Sequence, residues 1–241
     1  MKERPILMSG AMVRATLREV QPKTQTRRVV KLPHNNPLGQ WEPTLIGGPD
    51  GGRTAAGETV PLQGGIWHTR TGECFSCPLG EPGDHLWVRE TCRACELPDG
   101  LDGVRYLADD AFVPIGDTQE AAERWMDLNA YRSQSGAVVP AIHMPRWASR
   151  ITLEITDVCA ERLQDISEMD AIAEGIEPFR TNDPDLQGMW RDYSEDGMAS
   201  GNPIGSYMTL WDSLNAARGY GWDANPWVWV IEFKRVAELN A

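Results

Sequence analysis

Glycine and proline divide this chain into short segments, and this is the strongest constraint on its fold. The 241 residues include 23 glycines and 17 prolines, concentrated between about residues 33 and 83 and around residues 178–203. Because both residue types interrupt helices and strands, these stretches predict loop-rich insertions and are poor candidates for core. The sequence has no internal repeat and no heptad pattern. Repeat and coiled-coil folds are therefore excluded, and 41% hydrophobic residues are enough for a sizeable core.

Three segments between the insertions predict strands. Residues 227–233 are rich in tryptophan, valine and isoleucine, which is typical of a mostly buried strand. Residues 86–91 follow a turn-forming Pro-Gly-Asp triplet, and residues 150–156 alternate with period two. We expect these strands to form a small, mostly antiparallel sheet or barrel.

Apolar residues at helical spacing predict three helices. Pro22 ends the first helix, Asp165 or Ser167 caps the second, and Gly175 terminates it. The predicted helices cover residues 8–20, 167–175 and 206–218. Strands and helices in this order indicate an α+β fold, and we expect one domain over residues 1–241 with flanking helices and long loop insertions.

The chain is strongly acidic. Lysine and arginine number 23 against 35 aspartates and glutamates, which gives a net charge of −12 at pH 7. Tight, nonspecific coating of nucleic acid requires many cations, so any nucleic-acid role must be local. Basic residues do crowd residues 14–31, and a small basic site of this kind is compatible with a nucleoside, a nucleotide or a short single strand.

The sequence also bears on localisation. No apolar run approaches the roughly 20 residues that a membrane-spanning helix needs. The first residues lead into no signal-peptide core. We therefore expect a cytoplasmic protein with no membrane partner.

Residues 23–28 place an amine, two hydroxyls and two guanidinium groups in six positions. A lysine beside a threonine lowers the cost of deprotonating the hydroxyl, and the two arginines can each form paired hydrogen bonds with phosphate or carboxylate oxygens. The alternative is a solvated basic turn after the first helix, because short basic runs are usually only hydrated.

Four segments in this order resemble the ASCH family of the PUA-like superfamily. They are residues 23–27, 82–84, 167–176 and 230–234. Two longer motifs, residues 82–91 and 142–150, are similar to uncharacterised phage and prophage proteins. The resemblance implies a small β-barrel with flanking helices, in a bacterial host cell if the chain is phage-encoded.

One branch of that family resembles a compact bacterial amidohydrolase that removes the acetyl group from N(4)-acetylcytidine. Carried over by motif, the resemblance implies Lys23 as proton acceptor, Thr26 as nucleophile and Glu174 as proton donor. For this role Lys23 must be neutral part of the time, which burial or the charges of Arg27 and Arg28 favour by lowering its pKa.

The length of the chain leaves other functions open. Insertions are expected at about residues 33–80, 93–140 and 177–204, and they can widen, cover or change the pocket of a compact family member. Non-catalytic binding of RNA or DNA, and a phage protein-interaction module, are the alternatives to hydrolysis.

Further side chains are candidates for substrate contact. Arg27 and Arg28 follow the proposed nucleophile, and Arg89 projects from a predicted strand. His143 and Arg146 lie in a motif with aromatic neighbours that can stack on a base. The alternative for His143 is a core histidine bonded to the backbone.

The cysteines suggest a metal. Cys74 and Cys77 form one Cys-x-x-Cys pair, Cys92 and Cys95 form another, and fourteen residues separate the pairs. This spacing is close to that of a zinc ribbon, so we expect a structural Zn²⁺ rather than disulfides in a cytoplasmic chain. The alternative is four free thiols in loops. Cys159 is predicted to be a small core residue.

Overall fold

The structure, a computed structural model, describes residues 1–48, 53 and 57–236. Part of the insertion predicted over residues 33–80 therefore lies outside the described residues. Among the described residues the strands are, in chain order, β1 (Glu3–Leu7), β2 (Gln25–Val29), β3 (Trp41–Ile46), β4 (Gln63–His68), β5 (Cys74–Ser76), β6 (His85–Arg89), β7 (Cys92–Glu96), β8 (Asp102–Tyr106), β9 (Phe112–Pro114), β10 (Thr152–Arg162), β11 (Trp190–Arg191), β12 (Ala199–Ser200) and β13 (Trp227–Arg235). The α-helices are α1 (Gly10–Thr16), α2 (Gln119–Asn129), α3 (Glu168–Ala173) and α4 (Pro203–Asn215).

The fold is mixed α+β, with few helices and several small, mostly antiparallel sheets. The largest sheet has the strand order β1-β6-β10-β13-β2, and β1 runs parallel to β6. The smaller sheets are β3-β4-β5, β7-β8-β9 and the hairpin β11-β12. Strand pairings within the described residues do not close a barrel. No helix in this part of the chain is long and apolar enough to cross a membrane.

The described chain forms two compact units. The first unit comprises Met1–Lys2, the described residues of Arg18–Asp84, and Glu154–Lys234. The second unit comprises Glu3–Leu17, His85–Leu153 and residues 235–236.

The core of the first unit packs α3 and α4 against β13. Its buried residues are Leu163, Ile166, Ala171, Ile176, Tyr207, Leu210, Trp211, Val228 and Val230. Helix α4 begins after Asn202, whose side chain accepts a hydrogen bond from the Gly205 N–H at 2.7 Å, with Pro203 in the first turn. The prediction of 206–218 starts too late because proline also fits the first turn of a helix. Residues 216–218 form a 3₁₀ turn.

Helix α3 begins at the predicted cap. The Ser167 hydroxyl accepts a hydrogen bond from the Asp170 N–H at 3.1 Å, and the Asp170 carboxylate accepts one from the Ser167 N–H at 3.3 Å. This reciprocal pair is a capping box. Gly175, with a φ of +90°, follows the C-cap residue and is the predicted terminator. Both end signals of this helix are confirmed.

The segment predicted as a loop-rich insertion over residues 33–80 contains the sheet β3-β4-β5. Ile66 at the centre of β4 is fully buried. The two glycines of β4 serve close packing: a Cβ on Gly64 would lie 2.5 Å from the Val158 carbonyl oxygen. The expectation that this segment contributes no core is therefore wrong, because glycine here permits close approach and not a turn.

The second unit has its own core, formed where α2 packs on β7 and β8. Its buried residues are Cys92, Ala94, Val104, Tyr106, Leu128, Val139, Met144 and Ala148. Helix α1 ends at Thr16, well before Pro22, so the predicted end is wrong. The other two predicted insertions also carry regular structure, namely β8, β9, α2 and most of β7 in 93–140 and the hairpin β11-β12 in 177–204.

Candidate functional site

Residues 23–28 do not form a solvated turn. Gln25–Val29 are strand β2, which runs antiparallel to β13 with Thr26 opposite Ile231. Lys23, Thr26 and Arg27 are each at most 4% exposed. The alternative of a solvated turn is wrong because the charged side chains find partners on distant segments that a local pattern does not reveal.

Lys23 and Glu174 meet inside the first unit although they are 151 residues apart. The Lys23 ammonium nitrogen Nζ donates to Glu174 Oε2 at 2.6 Å and to the Glu174 carbonyl oxygen at 2.6 Å. The side chains are 0% and 3% exposed. A further bond joins the segments, from the Thr24 N–H to the Ala173 carbonyl at 3.0 Å. The start of β2 is thus fixed to the end of α3.

The position of Glu174 is electrostatically unfavourable without these partners. As the C-cap residue of α3 it places a carboxylate near the negative end of the helix dipole. Lys23 contacts one carboxylate oxygen, and Arg27 Nη1 donates to the other at 3.3 Å. Two cations therefore compensate a carboxylate that is both buried and opposed by the helix.

Arg27 is fully engaged by protein groups. Its Nε and Nη2 donate to Glu161 Oε1 at 2.9 and 2.6 Å, and its Nη1 donates to Gln25 Oε1 at 2.6 Å. Asp170 Oδ2 lies 3.7 Å from Nη2. Every guanidinium nitrogen thus has a partner within the site. Arg27 is accordingly placed to hold Glu174 rather than to contact an oxyanion directly.

Burial is the main cause of the pKa shifts of Lys23 and Glu161. Burial lowers the pKa of Lys23, and the charges of Arg28 and Arg27 lower it further, while Glu174 acts in the opposite direction. Burial raises the pKa of Glu161, although Arg27 opposes this effect. A lysine with a lowered pKa is easier to use as a neutral base.

Thr26 is buried beside this cluster without joining it. Its hydroxyl has no hydrogen-bond partner among the described residues. Successive side chains of a strand point to opposite faces, so Thr26 lies on the face opposite to Gln25 and Arg27. The structure thus brings Lys23 and Glu174 together but does not place the Thr26 hydroxyl within hydrogen-bonding distance of Lys23.

The other predicted contact residues are distributed over both units. Arg28 is half-buried in β2 of the first unit. Arg89, His143 and Arg146 belong to the second unit. His143 is exposed and its ring contacts Tyr131, so the alternative of a core histidine is wrong.

Two of the four predicted zinc ligands, Cys77 and Cys92, are buried, and Cys74 is exposed. Cys74 and Cys77 belong to the first unit, and Cys92 and Cys95 belong to the second. Within the described part of the chain no group of three or more His, Cys, Asp or Glu side chains is placed to hold a metal ion. Burial, with a contribution from Glu90, raises the pKa of Cys92 to about 12. The structural zinc stays a prediction.

Cys159 is exposed, which contradicts its predicted place in the core.

Sequence reasoning missed Gln25, Glu161 and Asp170 as parts of the site. Gln25 Nε2 donates to Asp170 Oδ1 at 3.3 Å, so one carboxylate both caps α3 and contacts β2. A strand prediction over residues 25–29 would have placed Gln25 and Arg27 on one face. The signal for Glu161 was absent because β10 extends beyond the predicted strand to Arg162.

No protein-family model, curated protein or solved structure matches this chain.

Proposed function

We propose that this chain is an elaborated ASCH-like protein of PUA-like type and that it binds a modified nucleoside at the buried site of Lys23, Thr26 and Glu174. The observation that supports this most is the 2.6 Å contact between Lys23 and Glu174. The resemblance implies that these two residues act together, and nothing in the local sequence requires residues 151 positions apart to meet.

The chemistry of the site suits an acylated base. An N-acetyl group on cytosine presents one carbonyl acceptor and one N–H donor. Lys23 is a donor and Glu174 is an acceptor. The Thr26 hydroxyl can be either, and because it lies on the other face of β2 it joins the ligand only if this end of β2 rearranges on binding. A ligand that bonded to Thr26 would also remove the cost of its unpaired buried hydroxyl, about 1–3 kcal/mol. The unmodified amino group of cytosine lacks the carbonyl and would bind less tightly.

Hydrolysis of the same ligand is a second candidate, favoured by the geometry of the Lys23–Glu174 pair. One proton transfer from Nζ to Oε2 produces a neutral amine and a carboxylic acid at the same time. The neutral amine can accept the Thr26 proton as the hydroxyl oxygen attacks the acetyl carbonyl. The acid can protonate N4 as the C–N bond breaks, and water then hydrolyses the acetyl ester on Thr26. This route requires Thr26 to approach Lys23 when substrate binds.

The test combines calorimetry with chromatography. N(4)-acetylcytidine and cytidine are titrated into the protein, and release of cytidine and acetate is followed separately. We expect tighter binding of the acetylated nucleoside. Thr26→Val keeps the side-chain shape and should abolish any turnover. Thr156→Val makes the same change at an exposed strand position of the same unit and should alter neither measurement.

Each outcome assigns a function. Binding with turnover that Thr26→Val removes identifies an amidohydrolase. Binding without turnover identifies a binding protein. If the wild-type protein binds neither nucleoside, the proposed site is wrong and the Lys23–Glu174 pair is structural.

A further inference from the structure

On the outer face of β6 in the second unit, the guanidinium groups of two arginines lie over the ring of one tryptophan. Leu86 and Val88 are at most 1% exposed, so the alternating residues Trp87 and Arg89 face away from the core. The guanidinium carbon of Arg89 lies 5.2 Å from the centroid of the Trp87 ring, and that of Arg146 lies 5.8 Å from it. Both distances are within the range of cation–π contact.

A second aromatic and cationic group lies in the same unit. His143 and Tyr131 are in ring contact at 5.8 Å, and the guanidinium carbon of Arg132 lies 5.3 Å from the Tyr131 ring. Arg89 Nε donates to the Met144 carbonyl at 3.1 Å, which connects the strand to the segment that carries His143. The two groups are linked through the backbone of residues 143–146, and their six side chains are called here the arginine–aromatic ridge: Trp87, Arg89, Tyr131, Arg132, His143 and Arg146.

The backbone at Arg132 is strained. Its φ is +53° and that of Ser133 is +58°, in the left-handed region that non-glycine residues rarely adopt. Strain of this kind persists where the surrounding structure imposes it, often at functional positions. The residue with this backbone strain, Arg132, is also the one whose guanidinium group lies over the Tyr131 ring.

The charge of the ridge is opposite to that of the whole chain. It has three guanidinium groups, and the carboxylate that pairs with Arg146 is Glu3, at 3.1 Å. The net charge of the chain is −12. An anionic partner is therefore attracted to this surface and repelled by much of the remainder, which favours a short local contact over extensive coating.

We propose that the arginine–aromatic ridge binds single-stranded nucleic acid. Unpaired bases can stack on its rings and guanidinium planes, and arginine can also donate to phosphate oxygens. Stacking requires bases that are not already stacked in a duplex, so a single strand fits this surface and a double helix does not. This inference goes beyond the nucleoside site and does not depend on it.

The test uses a fluorescein-labelled 12-nucleotide oligouridylate and fluorescence anisotropy, with a 12-base-pair duplex as a comparison. We expect the single strand to bind at least about tenfold more tightly than the duplex. Neutralising two or three phosphates should weaken binding about 7- to 18-fold between 50 and 200 mM salt.

Substitutions separate stacking from charge. Tyr131→Ala should weaken binding at least about fivefold, and Arg146→Ala combined with Arg132→Ala should weaken it further. Arg146→Lys keeps the charge and loses the planar group, so it should weaken binding less than Arg146→Ala. Arg124→Ala removes an exposed arginine from α2 of the same unit and should leave affinity unchanged. Circular dichroism melting checks that each variant is folded.

The proposal would be overturned by no binding of the oligouridylate at 50 mM salt, or by equal losses in Arg124→Ala and the ridge variants. Duplex binding as tight as single-strand binding would also exclude it. The nucleoside site fails or succeeds separately, because Thr26→Val should leave oligouridylate binding intact and the ridge variants should still bind N(4)-acetylcytidine.

Discussion

Replacing Glu174 with glutamine should lower the free energy of unfolding more than replacing its partner Lys23 with methionine. Glutamine keeps the shape of the side chain and removes its charge. Lys23 then has no carboxylate partner, and the acceptors left to it are neutral: the backbone carbonyl of residue 174 at 2.6 Å and the amide oxygen of the glutamine. In Lys23→Met, by contrast, Glu174 keeps Arg27 at 3.3 Å. The order of the two effects follows from the charge of the remaining partner, which is neutral for Lys23 and positive for Glu174.

The magnitudes follow from burial. Breaking a buried ion pair by removing one partner costs about 3–5 kcal/mol, which we expect for Glu174→Gln because both side chains are at most 3% exposed. Lys23→Met loses a charged hydrogen bond and leaves the carboxylate compensated, so about 1.5–3 kcal/mol is expected. The double variant no longer contains a stranded cation. Its loss should fall at least about 1 kcal/mol short of the sum of the single losses.

The assay is urea unfolding followed by circular dichroism for the wild type, both single variants and the double variant. The pH dependence supplies an independent readout. A lysine whose folded pKa is lowered binds fewer protons in the folded than in the unfolded state, so stability rises with pH between the folded pKa and the ordinary value of about 10.4. Glu174→Gln removes the charge that opposes this lowering. This variant should therefore regain stability from pH 7 to 9, more than the wild type does.

Additive losses, or no recovery of Glu174→Gln at high pH, would refute this reasoning. Either result would mean that Lys23 is solvated or otherwise paired once the carboxylate is gone. Lys23→Met serves as the matched control, because it has no amine at this position and should show no recovery between pH 7 and 9.

Three further predictions concern other sites. Thr26→Val should raise the free energy of unfolding by about 1 kcal/mol, since it removes a buried hydroxyl without a partner; a loss in urea unfolding would show that the hydroxyl is bonded. Arg150→Met should cost about 3–5 kcal/mol at pH 8, because it strands Glu90, which is 1% exposed. Burial raises the pKa of the Glu90 carboxyl, so this group takes up a proton more readily in the folded protein. Part of the unfolding free energy lost in Arg150→Met should therefore be regained at pH 5, and an equal loss at pH 8 and pH 5 would contradict this. Elemental analysis of purified protein should find about one zinc per chain, and less than about half would count against a structural site.

Local signals predicted several elements well. The capping box at Ser167 and the positive φ of Gly175 define α3 by interactions within a few residues, so the sequence alone contains them. The predicted strand over residues 227–233 lies inside β13, because a run of aromatic and β-branched residues suits a buried strand wherever it pairs.

The elements that were mispredicted depend on distant partners. Glycines in β4 resemble loop residues in sequence, and only the approach of Val158 shows why Gly64 has no side chain. Residues 23–28 resemble a hydrated turn because the carboxylates that compensate their charge lie on β10 and α3. Strand pairing over such separations cannot be derived from a local pattern.

For the candidate site, the sequence by itself determined the residue types and the end of α3 at which Glu174 lies. Only the tertiary structure decided that Lys23 and Glu174 touch, that Arg27 is occupied by Glu161 and Gln25, and that Thr26 faces away from them. The physical reason is that helix caps are fixed by neighbouring residues, whereas the burial of a charge depends on which opposite charges the fold brings to it.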